Sequence, residues 1–304
     1  MFYAQPDRSS GHVIPRQTLG REAGGVWRRS YRALIQAALS VAAVLPFVFS
    51  AATAAHKNFS QTDLEQLLET GACPGCNLEG ASLKDADLRG ANLEGANLRN
   101  ADLKLIDLSE ANLKGADLSD AEIEKADLSG ADMTGAILQD ADLEKIDMIG
   151  TNLTGANLAW ADLEDANLSE ARLVGTDLRK ANLRRAILHE TYIANAQFDR
   201  ADMERASLHK AVLGDSNLEA TNMKRANLRS VTIDGVSFRN TILTRATISD
   251  AVITQSDFTG AELQLATLKG AVIEGATGLT QDQLNDACGD EGTQLPEELT
   301  VDPC

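Results

Sequence analysis

ADLRGANLEGANLRNADLKL, residues 86–105, is one five-residue phrase written four times. An apolar residue recurs at every fifth position (Leu88, Leu93, Leu98, Leu103). A small one lies two places earlier (Ala86, Ala91, Ala96, Ala101), with Asp or Asn between them. The same register runs from Cys76 to Gly275 without an insertion or deletion, forty units whose centres go from Leu78 to Ile273. Five is neither the helix period nor the strand period. Within a unit, however, Ala and Leu lie two apart, so an extended segment points both to one side. The chain must bend before the next unit to keep its own Ala and Leu on the same axis. Four bends close a square coil, so residues twenty apart stack at about 4.7–4.9 Å, and ten coils span roughly 48 Å.

A period of twenty is independently visible. Phe198, Phe238 and Phe258 fall on one side, Thr221 lies one coil below Thr241, and Gly95, Gly115, Gly135, Gly155, Gly175, Gly235 and Gly275 line up at one corner. Glycine there permits a tight turn. The repeated A-[DN]-L-x-x units resemble the pentapeptide repeat family across residues 76–275. That resemblance implies an all-β fold, a right-handed quadrilateral parallel β-helix. The flanks, with Cys73-Pro74-Gly75-Cys76 before the array and CGDEGTQLP (288–296) after it, look like those of exported members from Gram-negative bacteria.

Four segments follow. Residues 1–55 hold a polar lead, Arg28, Arg29 and Arg32, then the apolar run ALIQAALSVAAVLPFVF (33–49) and small residues up to Ala54 and Ala55. A basic flank, a short apolar run and an A-x-A-like end form a secretory signal peptide, with cleavage near Ala54 or Ala55. The alternative is an inner-membrane anchor, for which the run is short and contains Pro46. The Arg28-Arg29 pair is a weak twin-arginine signal. Residues 56–75 read as a capping helix with Ser60 or Thr62 at its start, Leu64, Leu67 and Leu68 as its stripe and Gly71 at its end. Residues 76–275 are the array. Residues 276–304 begin where Gly278 replaces the expected Leu, and contain a second capping helix over TQDQLNDA (280–287). Caps are needed because the end coils would otherwise expose apolar surface.

Composition narrows the function. A net charge of −17 and a pI near 4.6 argue against binding nucleic acid through its phosphates. Aromatics are only 4%, so the core must be Leu and Ala. The four cysteines form two groups, Cys73/Cys76 and Cys288/Cys304, at opposite ends of the array. That separation excludes a four-Cys zinc site, whose Zn–S bonds are about 2.3 Å. The C-x-x-C pair lacks the βαβ context of a redox motif. An even count beside an export signal makes two local disulfides the expected state.

The outward residues carry what information remains. Residues 76–170 hold 21 acids and 7 bases, whereas residues 171–275 hold 12 acids and 14 bases. Asp87, Asp107, Asp127 and Asp147 stack in one column. Arg185, Arg205, Arg225 and Arg245 form another, extended by Lys125 and Lys145 with Asp165 between. The acids Asp142, Asp162, Asp202, Glu124, Glu144, Glu164 and Glu204 can quench it as a surface ion-pair lattice. The sharper reading is a groove for an anionic partner. Val174, Tyr192, Val212, Val252 and Val272 occupy outward positions that are polar elsewhere, and such an exposed apolar wall suits a contact or homodimer face. His189 and His209 lie one coil apart, too few ligands for a metal site.

No catalytic set, cofactor motif or metal cluster is present in this pattern. The expected function is a non-enzymatic exported array serving as a protein-interaction or envelope scaffold for an unknown protein or envelope component. The resemblance carries an alternative, a DNA-mimic binder that protects DNA gyrase, since some relatives are acidic arrays of this kind. The export signal and the near-neutral second half count against it.

Overall fold

Every fifth residue from Gly75 to Gly275 has a positive φ. These are the corners of a parallel β-helix, seen in a computed structural model that describes residues 58–304. The expected signal peptide of residues 1–55 lies outside the described residues. At a typical corner the residue after the turn donates back to the central apolar residue, as Ala81 N–H does to Leu78 O at 3.0 Å. The left-handed residue between them (Gly80, φ 68°) has the conformation a type II turn requires at its third position. Fourteen corners are glycine and twenty-seven are not. The glycine column from Gly95 to Gly275 does lie at one corner, and Lys125, Arg185 and Trp160 adopt the same backbone at others. Each non-glycine corner costs about 1 kcal/mol.

Two things offset that cost. The first is the Asp or Asn one place before the central residue, whose carbonyl or carboxylate oxygen accepts the N–H two residues on. Asn92 takes Glu94 N–H at 3.2 Å and Asp127 takes Ser129 N–H at 2.9 Å. These Asx turns explain why the repeat uses Asp and Asn almost interchangeably. The second is the ladder between coils. Leu78 N–H donates to Asn97 O at 2.7 Å, and Asn97 N–H donates to Cys76 O at 2.8 Å. The bridged column that begins at Asn77 steps by twenty residues through Asn97 and Asp117 to Thr277. We call the walls carrying Asn77, Ser82, Asp87 and Asn92 walls one to four.

Inside, Leu, Ile, Met, Phe and Ala form a continuous buried stack, and Phe238 lies on Phe258 with ring centroids 5.0 Å apart. Burying each large side chain contributes about 1.5–3 kcal/mol. Where threonine replaces the inward Ala, its hydroxyl is satisfied: Thr221 donates to Phe198 O at 2.8 Å and Thr241 to Leu218 O at 2.7 Å.

Wall four changes midway. From Asn92 to Asn152 its outward residues are Asn or Asp and its corners are closed, as by Ala156 N–H to Leu153 O at 3.0 Å. Thereafter the column reads Arg172, Tyr192, Val212, Thr232, Val252, Val272, and the Asx oxygens are gone. β-Branched and aromatic residues favour extended chain. Six strands result, β1 (Arg172–Val174), β2 (Tyr192–Ala194), β3 (Val212–Gly214), β4 (Thr232–Asp234), β5 (Val252–Thr254) and β6 (Val272–Glu274), paired in sequence order and in parallel. Tyr192 is in register with Val212, and Val252 with Val272. At two of the opened corners a serine hydroxyl accepts the freed N–H: Ser216 from Ala196 at 3.1 Å and Ser256 from Val236 at 3.3 Å. A single loss does not open a corner, since Ile137 on wall one keeps its turn through Ala141 N–H to Leu138 O at 3.2 Å. The successive run does.

Both ends are closed. Helix α1 (Gln61–Thr70) starts where Ser60 Oγ accepts Asp63 N–H at 3.2 Å and ends at left-handed Gly71. It buries Leu67, and Asp63 accepts Asn77 N–H at 2.8 Å, tying the cap to the first coil. The second cap is shorter than expected, one turn, α2 (Gln281–Leu284). Gln283 donates to Phe258 O and Ala261 O, both at 2.9 Å, and so satisfies carbonyls on the coil below. The chain then forms the parallel pair β7 (Cys288–Gly289) and β8 (Asp302–Pro303). Both expected disulfides are present, Cys73–Cys76 and Cys288–Cys304. The second closes a 16-residue interval, for which cross-linking stabilises by about 3 kcal/mol. Cys288→Ser/Cys304→Ser should therefore raise hydrogen exchange in residues 266–294 by about a hundredfold while leaving residues 96–160 protected, because a solenoid opens from its ends.

Candidate interaction surfaces

Three outward features stand apart from the repeat. The first is the arginine column at the corners of wall two. Arg185, Arg205, Arg225 and Arg245 do follow one another at coil spacing, each with positive φ. They are not equivalent. Arg185 is clamped by both oxygens of Asp165 (2.7 and 2.8 Å) and by Glu164 (2.6 Å), and its hydrogen bonds, then its charge, hold Asp165 below the usual carboxylate range. Arg205 has only Glu204 at 3.9 Å. Lys145 is paired with Glu144, and Lys125 lies 3.9 Å from Glu124. The neighbouring Arg184 binds Glu204 at 3.2 Å and Asp202 at 3.6 Å. Among the described residues, Arg225 and Arg245 form no ion pair. The column is a quenched lattice at its lower end and open cationic surface only above Arg205. Asp162 belongs to the same wall but accepts from Asn182 at 2.9 Å. Burial lifts Asp142, which hydrogen-bonds to Glu124 and thereby keeps Glu124 low.

The second feature is wall four. Tyr192, Val212 and Val252 are exposed at 44, 42 and 42% on a flat sheet. Val174 and Val272, expected to be exposed with them, are half-buried. Val174 also belongs to the neighbouring column of smaller residues with Ala194 and Gly214. Arg172 lies over the Tyr192 ring, 5.0 Å from its centroid.

Spacing alone gives no role to the third. Trp160 sits at a corner of wall one with φ 66°, 54% exposed, with Lys180 Nζ 3.9 Å above its ring. It begins a groove of about 560 Å³ that climbs past Lys180, Arg200 and Ala220 to Asn240. The available signal was an aromatic residue in a column of corners, visible only when the sequence is wrapped at twenty.

The remaining columns are structural. His189 and His209 meet edge-on at 5.9 Å, with His189 Nε2 2.8 Å from Ser207 Oγ. Burial, then His209, pushes the His189 pKa down. Among the described residues no cluster of three or more His, Cys, Asp or Glu could hold a metal ion. Asp87, Asp107, Asp127 and Asp147 stack as bridged neighbours, and Arg89 spans the lowest two at 2.9 and 3.4 Å.

An array of interchangeable core units that spends its variation on outward columns is a repeat solenoid. The pentapeptide repeat family model matches eight copies over residues 75–104, 101–140, 138–169, 166–205 and 206–245, and the chain belongs to that family. Among solved structures it is similar to HetL, a pentapeptide repeat protein involved in heterocyst differentiation regulation from the cyanobacterium Nostoc sp. strain PCC 7120. The two are 30% identical, with 79% of this chain and 100% of HetL covered and a TM-score of 0.51. It is also similar to QnrB1, a plasmid-mediated fluoroquinolone resistance protein, at 14% identity, 56% and 94% coverage and a TM-score of 0.36. None of the curated proteins compared matches the sequence.

Asp147 supplies a pH test of the stacked acids. Its Oδ1 is buried without a hydrogen-bond partner, and burial followed by Asp127 raises its pKa. A raised carboxylate destabilises while ionised, and the penalty fades as pH falls through the raised value. In neighbouring columns an Asn placed one coil above an Asp donates to it, as Asn222 does to Asp202 at 2.9 Å. Asp147→Asn should thus stabilise by roughly 0.5–1 kcal/mol at pH 7 after solvent screening. The gain in Tm should shrink to nothing as pH drops into the ordinary carboxylate range.

Proposed function

We propose that this protein is a non-enzymatic, exported scaffold whose walls bind a protein or envelope component, with the flat C-terminal part of wall four as its main contact surface. One observation carries this reading. On that wall six successive coils give up the Asx residue that stabilises each turn and present an uninterrupted sheet with Tyr192, Val212 and Val252 in the open. A fold that depends on those turns gains nothing from their loss, and an exposed apolar patch of this kind marks a contact surface. The sequence pattern of residues 1–55 supports export to the periplasm, and two disulfides suit an oxidising compartment. The open cations Arg225 and Arg245 add a secondary surface for an anionic partner.

The acidic half, net −14 over residues 76–170, favours the gyrase-protecting alternative, but wall four and the export signal have no part in it. The test places a photo-crosslinking residue at Tyr192 or, as a control, at Asn97 on wall one, in protein expressed in its own host. Envelope-fraction adducts from position 192 and none from position 97 are expected. Identical adducts at both positions would remove the proposal. N-terminal sequencing of the recovered protein should start near His56. In a supercoiling assay the same protein should leave quinolone inhibition of gyrase unchanged, and full protection would put the alternative in its place.

A further inference from the structure

We infer that wall four pairs with a second copy of itself, face to face and with the two solenoids running in opposite directions. The inference rests on wall four being a contact surface and adds its occupant and geometry. Wall four carries opposite charges at its two ends, in adjoining columns, that have no carboxylate or cation partner of their own among the described residues. Arg172 at the bottom stacks on Tyr192, and exposed Glu274 stands on the top strand. Five coils separate them, roughly 24 Å, so they cannot meet within one chain.

A two-fold axis lying in the interface along the strands inverts the coil order and keeps each column opposite itself. Strand β1 then faces β6 of the second copy, β2 faces β5, and β3 faces β4. Arg172 comes opposite Val272 and within diagonal reach of Glu274, and the pairing occurs twice. Tyr192 meets Val252, and Val212 meets Thr232. In the adjoining column Ala194 meets Thr254. Asp234, already held by the Thr254 hydroxyl of its own chain at 2.6 Å, meets Gly214, which leaves it room. The strands of the two sheets stay aligned, the usual way sheets pack face to face.

The charge distribution selects this direction. With an axis along the solenoid instead, the two halves of net −14 would lie side by side, whereas the antiparallel pairing centres on the half of net +2 and sends the acidic halves to opposite ends. A patch this small lies at the weak end of specific interfaces, under about 1,200 Å² in total, so association belongs in the micromolar range.

Sedimentation of the intact disulfide-bonded protein from 1 µM to 1 mM tests it. A monomer–dimer equilibrium is expected. Arg172→Glu and Glu274→Arg should each weaken it about tenfold or more, and the double variant Arg172→Glu/Glu274→Arg should recover it. Mixing Ala194→Cys with Thr254→Cys under oxidation should cross-link the two variants, while neither alone should dimerise covalently. A monomer at 1 mM, or a double variant no better than the singles, would overturn the pairing. So would 194-to-194 cross-links. If Tyr192 still captures an envelope component while the protein stays monomeric, the scaffold reading survives and self-pairing does not.

Discussion

Everything in this molecule depends on turning a corner every fifth residue. The turn forces a left-handed residue, which most side chains resist, and a hydrogen-bonded Asx oxygen makes it affordable. The inward Ala and Leu pull the corner closed by burial, and the next coil completes its hydrogen bonds. Three of the five positions in each unit are therefore committed to the fold. An Asp at the outward bridged position, such as Asp127, takes a backbone N–H from its own turn before it presents charge to anything else.

That constraint separates the columns committed to the turns from those released from them more sharply than exposure does. The aspartate stack from Asp87 to Asp147 looks like a recognition stripe, yet Asp87, Asp107 and Asp127 are turn-formers that happen to superpose, and Asp147 carries the electrostatic strain of the stack. Wall four is the converse. Its C-terminal coils have no Asx oxygen, the chain relaxes into true strands, and two serines on the next wall accept the N–H groups that the turns released. The compensation by Ser216 and Ser256 shows that the flat surface is accommodated by the interior rather than left as a defect.

The architecture was legible because a gapless period of five leaves only one way to keep Leu88, Leu93, Leu98 and Leu103 on a common axis. The caps were legible from Ser60, Gly71 and the cysteine pairs, each a local signal. What the sequence could not show was the reach of long side chains. Arg185 and Arg225 occupy identical corners, but Asp165 lies one coil below the first and Arg205 one coil below the second, so one is neutralised and the other is not. The opened corners escaped for a related reason: propensity at one rung is weak, and Ile137 shows a single loss being absorbed. Trp160 escaped because the period of twenty places it at a corner without showing that Lys180 reaches over its ring.

A solenoid with a uniform core has a consequence for how its surfaces evolve. Since each coil is held mainly by the two beside it, an outward residue can change without disturbing the stack, provided the turn beneath it survives. Losing a turn-former is the expensive change, and losing six in succession on one wall is tolerated only because β-branched residues and serine hydroxyls replace the lost stabilisation locally. The coils below Arg172 on the same wall keep Asn92, Asn112, Asp132 and Asn152 and remain polar. The apolar wall begins within a few coils of where the net charge turns from strongly acidic to near neutral. Apolar association is opposed by like charge on both partners, and the apolar wall lies in the half of the chain where that repulsion is absent.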